Sequence, residues 1–188
     1  MSLLDLITGS TGNQVAEQVE NKFGISKNQI IALLVVAAPL VISYLKKKSE
    51  NADEADKLNA TLDKHHDGSI LNNPAQALDR EQEGNSILDH IFGGNKANVE
   101  NQLSANTGIS MDKIGPVLAT LAPVIMGYIG QQKQASNVTS GGGLGDLLGG
   151  ILGGSAQEAQ ASNNPLSDIL GSVIGGATQS SGGGLGDI

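Results

Sequence analysis

The chain has 188 residues, enough for one ordinary core or for one core and a tail, and its length does not require two domains. The absence of cysteine excludes a disulfide framework and thiol chemistry, and 2% aromatics leave Ile, Leu, Val and Ala to build the core, which favours packed helices over a sandwich. Nineteen acidic residues against eleven basic ones give a net charge of −8, so the basic footprint that nucleic-acid binding needs is missing.

The opening Met1-Ser2-Leu3-Leu4-Asp5 lacks the basic region and apolar stretch of a secretory signal, and the default expectation is a cytoplasmic protein, with signal-independent export or membrane association as alternatives. Ser2 and Asp5, three positions apart, read as a capping box that starts a short helix of about two turns towards Gly9. Val15, Val19 and Phe23 then place one apolar stripe on a second helix. Gly24 stands where a helix end needs a left-handed residue, and Ser26 opens the next helix. That third helix, Ile30 to Leu45, is almost wholly apolar, is expected to kink at Ala38-Pro39, and places Tyr44 at the core edge.

Residues 51–84 form a second, acidic segment. Asp53 to Leu62 reads as a helix with Leu58 and Leu62 as its apolar pair. After it, Asp63, His65 and Asp67 alternate as ligands do in the first half of a calcium loop, with Gly68 at the turn, but Pro74 occupies the place of the closing bidentate acid. Asp63, His65, His66 and Asp67 are also a partial zinc or nickel set without a further ligand at motif spacing. The reading adopted is a turn at Asp67-Gly68 and no metal.

Residues 85–134 align with residues 1–50 at a constant offset of 84, without a gap and with fifteen identities. Ser86 and Asp89 repeat the capping box, Val99 and Leu103 the stripe, Gly108-Ile109-Ser110 the corner, and Ile114 to Ile129 the apolar helix with Ala122-Pro123 and Tyr128. Two tandem copies of a three-helix module are expected to bury each other's apolar faces, the two Ala-Pro helices forming the central layer. Each apolar run holds 16 residues, short of the roughly 20 a bilayer span needs, and Lys46-Lys47-Lys48 after the first becomes Gly130-Gln131-Gln132 after the second. Burial in protein is therefore preferred to burial in lipid.

The remaining stretch, 135–188, holds fifteen of the 26 glycines and no Lys or Arg. Its apolar residues are nonetheless periodic: Leu144, Leu147, Leu148, Ile151 and Leu152 follow helical spacing, and Leu166, Ile169, Leu170, Val173 and Ile174 repeat the series. An Asp stands two places after an apolar residue at Asp5, Asp89, Asp146, Asp168 and Asp187. Gly141, Gly145, Gly149 and Gly153 recur every four residues, a stripe along which a helix can approach another backbone. Gly-rich helices are costly alone, about 1 kcal/mol per Gly relative to Ala, which leaves two alternatives: helices that form when docked, or a mobile tail with incidental Leu pairs. The ten periodic residues are the candidate interaction surface, for a partner or for neighbouring subunits.

No catalytic constellation is legible. The three histidines are His65, His66 and His90, no Gly-x-Ser-x-Gly elbow occurs in a strand-to-helix setting, and the Gly-rich segments lack the Lys-Ser/Thr of a phosphate loop. His90, in the place of Leu6, reads as a partly buried surface residue. Asp residues at helix starts complement the helix dipole.

The Ser-Leu-Leu-Asp-Leu-Ile start, the Gly-Ile-Ser corner, the Ala-Pro helices and the run Leu-Asp-Lys-His-His-Asp-Gly-Ser-Ile-Leu together resemble the bacterial family catalogued as domain of unknown function 937, related to YidB-like proteins. The resemblance covers about residues 1–134 and implies an all-α bacterial protein with no established biochemical role. In that family the acidic loop often reads Leu-Asp-Lys-Asp-His-Asp-Gly-Ser, so His65 departs from the pattern.

The expectation from sequence is thus an all-α protein: a compact helical bundle of two tandem three-helix modules followed by a Gly-rich tail with short amphipathic helices. It is expected to be non-enzymatic and without a cofactor or small-molecule substrate. Self-association or docking on a larger assembly through the tail is the expected role, and membrane association is the alternative.

Overall fold

The computed structural model of the chain describes residues 3–162 apart from 67, 74 and 140, with side chains over residues 5–153 of that range. All regular structure among the described residues is helical: α1 (Leu3–Thr8), α2 (Ser10–Phe23), α3 (Lys27–Lys48), α4 (Ala52–His65), α5 (Gln76–Asp79), α6 (Glu81–Phe92), α7 (Lys96–Thr107), α8 (Met111–Ala135) and α9 (Gly141–Ser162), with 3₁₀ turns at Ser69–Asn72 and Gly93–Asn95.

The two corners form as their residues demand. Gly24 and Gly108 adopt left-handed backbone, with φ of 70° and 77°, and each N–H closes the preceding helix by donating to a carbonyl four residues back. A side chain with a Cβ would be strained at both places. Ser26 then caps α3, its hydroxyl accepting from the Gln29 N–H at 3.3 Å. Ser110 precedes α8 in the same extended conformation, but its hydroxyl is spent on Asp112.

That contact, with a backbone N–H second, holds the Asp112 carboxyl below its ordinary value. A carboxyl lowered in the folded state adds stability above its unfolded pKa, about 3.9, and loses it as pH falls through the lower folded value. Ser110→Ala is expected to raise the Asp112 pKa in an NMR titration. The parent's melting-temperature advantage over the variant at pH 6 should shrink on acidification below about pH 4. An advantage that is constant with pH would show that the contact contributes nothing through the carboxylate.

α8 is the central helix. From Val117 to Gly130 every residue is buried, as expected of a helix apolar on all sides. It runs unbroken through Pro116 and Pro123, and α3 runs unbroken through Pro39. Thr120, buried in this helix, donates its hydroxyl to the Pro116 carbonyl at 3.0 Å. The two apolar helices do not form the expected face-to-face layer. Their mutual contact is short: α8 lies mainly against α6, α3 lies against α2 and α9, and the aligned halves interlock through α3 with α7 and α2 with α8. One continuous core results, from Leu6 to Leu148.

Gly84 sets the α6–α8 distance. A Cβ added there would lie 1.6 Å from the Ala119 carbonyl oxygen, so the helices are in backbone contact. This close approach accounts for one departure from the sequence reading. The capping box placed a helix start at Ser86, but α6 begins at Glu81, and the Ser86 hydroxyl donates to the Gln82 carbonyl at 3.3 Å. Docking on α8 through Gly84 makes the extra turn worth forming, which no local cap signals. At the first copy, Ser2 lies outside the described residues.

α9 corrects the boundary drawn at residue 135. Leu144 and Leu148 are wholly buried in the core, and Leu147, Ile151 and Leu152 are half-buried against it. The glycine stripe works as small-residue stripes do, but towards this chain's own helices. A Cβ at Gly141 would lie 2.7 Å from the Ala55 carbonyl carbon, at Gly145 3.2 Å from Ser49 Oγ, and at Gly149 3.4 Å from Lys46 Cε. At Gly153 nothing lies within 4 Å. The compact body therefore includes α9, which lies across α3 and α4.

Candidate functional site

α4 and α6 lean apart over the core and leave a cleft of about 800 Å³ between them. Helical periodicity supplies both walls. Glu54, Leu58, Thr61 and His65 recur every three or four residues along α4, and Glu83, Ile87 and His90 do so along α6. Leu45 of α3 and Met126 of α8 contribute from beneath. The volume is within the range of small-molecule and peptide-side-chain sites, and the aliphatic floor with polar ends has the usual make-up of a binding site.

An acid–histidine contact marks each end. His66 Nε2 lies 3.3 Å from Glu83 Oε1, with the His66 side chain 1% exposed. His90 Nε2 lies 3.4 Å from Glu54 Oε2 across the cleft, and the His90 side chain is 64% exposed. His90 is thus more open than the partly buried residue expected, and the sequence position that replaces Leu6 has become a wall of the cleft. Lys48 and Lys57 line the same opening.

Arg80 closes the His66 end. Its guanidinium holds Glu83 in a fork, Nε to Oε2 at 2.7 Å and an Nη to Oε1 at 3.1 Å, and donates to the His65 carbonyl at 2.7 Å. One side chain therefore ties the last turn of α4 to the first turn of α6. Arg80→Ala is expected to destabilise the fold by about 2 kcal/mol, the worth of hydrogen bonds to a charged group, in urea unfolding. A loss indistinguishable from zero would mean that the clamp is replaced by solvent.

The four candidate ligands of the 63–67 segment do not converge. The Asp63 carboxylate is engaged by Lys133, whose side chain is 4% exposed. His66 faces Glu83, while the exposed His65 contributes its carbonyl to Arg80. Asp67 lies outside the described residues. Among the described residues no group of three or more His, Asp or Glu is placed to hold a metal ion. Gly68 takes left-handed backbone, at φ 96°, ahead of the 3₁₀ segment, while the Asp67 half of the expected turn lies outside the described residues.

Of the ten candidate interaction residues, Leu144 and Leu148 are consumed by the chain's own core and are not available to a partner, while Leu147, Ile151 and Leu152 keep partial exposure. Leu166, Ile169, Leu170, Val173 and Ile174 lie outside the described residues. The cleft itself was invisible to sequence reasoning. Its only local signal was the recurrence of Glu54, Leu58, Thr61 and His65 on one face of α4, which α6 had to meet to give it meaning.

Two helices, α3 and α8, are long and apolar enough to cross a membrane by length and composition, and 61% and 83% of their most apolar windows are buried inside the protein. The family profile described as a bacterial protein of unknown function (DUF937) matches residues 5–132. No curated protein matches the chain. No solved structure matches it either.

Proposed function

The chain belongs to the DUF937 family of bacterial proteins of unknown function, and we propose that it is a non-enzymatic structural or interaction protein that self-associates through its C-terminal Gly/Leu segment. One observation carries this reading. Each apolar-x-Asp motif inside the described residues is a helix seated on an apolar surface: Leu6 and Ile7 around Asp5, Leu88, Ile91 and Phe92 around Asp89, and Leu144 and Leu148 around Asp146 are all buried. The motif at Asp168 carries the same apolar series, and a Gly-rich helix is costly unless docked. We assign it a seat on another molecule.

The test is light scattering after size exclusion, on the full chain and on a chain ending at Ser162. The cut belongs there because a chain ending before Gly141 would strip Leu144 and Leu148 from the core. The expected result is an oligomeric full chain and a monomeric shortened one. Two monomers would sink the reading.

A second reading has its own observation. The apolar helix α3 is covered over only 61% of its window and ends in Lys46-Lys47-Lys48, the flank of a membrane-facing helix. Membrane association of this kind predicts co-flotation with anionic liposomes. Recovery of the whole protein in the aqueous fraction would discard it.

A further inference from the structure

We propose that the α4–α6 cleft is the seat of the 166–174 segment of a second copy of this chain. The inference rests on the self-association reading and adds the place and the occupant. Residues 165–176 repeat residues 143–154 at an offset of 22, with identity at Leu166, Asp168, Leu170, Gly171, Gly175 and Gly176. The earlier segment shows what the motif does: it forms a helix, buries Leu144 and Leu148, and brings a small-residue stripe against α3 and α4. In the later segment Ser167, Gly171 and Gly175 keep that stripe at four-residue spacing.

Its equivalent seat is taken, since α9 covers α3 and one side of α4. The other side of α4 is the cleft wall, with an aliphatic floor that nothing among the described residues covers and with Ala60 and Ser86 as small wall residues. Residues 163–188 carry Asp168 and Asp187 and no cation, and the cleft opening offers Lys48 and Lys57, the latter 71% exposed and 4.0 Å from Glu54, within a lining that also holds Glu54 and Glu83. Lys57, the more open of the two, is the cation assigned to the Asp of the incoming motif.

Reach decides between the same copy and a second one. Gly149 of α9 still lies against Lys46, between the cleft residues Leu45 and Lys48, and from there the helix carries Ser162 about 20 Å farther along its axis. From Ser162 to Leu166 the chain spans at most about 14 Å when fully extended. Leu166 thus falls short of the chain's own cleft, and the seat is assigned to another molecule. The resulting contact is head-to-tail, which closes into a ring or continues as a filament.

The chain has no cysteine, so crosslinks report the seat directly. Full-length Ser86→Cys is mixed with full-length Leu170→Cys and oxidised, with Glu17→Cys, exposed on α2, replacing the former as control. The expected disulfide yield for the cleft position is at least about tenfold above the control, the effect of docking on effective concentration. In parallel, Ser86→Trp, an exposed position on the cleft wall, is expected to convert the oligomeric full chain to monomer with its melting temperature unchanged. Oligomers that survive Ser86→Trp, with crosslinking at the control level, would overturn the seat and leave self-association standing. A full chain that is monomeric before any substitution would overturn both.

Discussion

Gly84→Ala is expected to lower the stability of this protein by about 3 kcal/mol, at the upper end of overpacking costs. The substitution favours α6 locally, since Ala is a better helix former than Gly by about 1 kcal/mol, so a net loss of this size identifies tertiary contact as its cause. The added methyl would sit 1.6 Å from the Ala119 oxygen and 2.6 Å from its carbonyl carbon. Both are backbone atoms of the buried central helix and have no rotamer to change. Relief requires α6 to lift from α8, which loosens the contacts of Leu88, Ile91 and Phe92 with the core and shifts one wall of the cleft. Urea unfolding would measure the loss, and Gly94→Ala is the control, because a Cβ there meets nothing within 4 Å. Equal stability of the two variants would mean that α6 does not lie against α8 at this distance.

The second large effect is expected at Leu148. Leu148→Ala should cost about 3 kcal/mol, the middle of the range for truncating a buried leucine, and should act chiefly on α9. The side chain is 0% exposed although it belongs to a segment with glycines on both sides. That segment has little intrinsic helicity, so its order depends on Leu144 and Leu148 reaching the core. Hydrogen exchange should therefore show the amides of 141–153 losing protection before those of α8. Leu147→Ala, half-buried on the same helix, should cost markedly less. If Leu148→Ala leaves both the melting temperature and the exchange of α9 unchanged, the helix is not part of the body.

These two residues also mark how far the sequence could be read. Gly24 and Gly108 were legible as helix ends because a left-handed residue followed by Ser states its meaning within three positions. The 144–152 series was legible as helical because apolar spacing at 3.6 is likewise a local property. Spacing names the face and not its partner. For the same series an external partner and the chain's own α3 and α4 were equally compatible, and the glycine stripe served both. His66 and Glu83, seventeen positions apart, and His90 and Glu54, on different helices, had no shared signal at all.

By itself the amino-acid sequence determined the helical class, the corners at Gly24 and Gly108, the apolar character of α3 and α8, and the periodic faces of the tail. Each follows from backbone sterics or from residues within two turns of one another. Only the tertiary structure decided that α8 rather than an α3–α8 pair occupies the centre, that α6 starts a turn early on Gly84, that α9 completes the body, and that α4 and α6 leave an open cleft. Those outcomes depend on which of several apolar faces fit one another closely enough to exclude water. That fit is a property of three-dimensional shape, set by contacts between residues far apart in the chain.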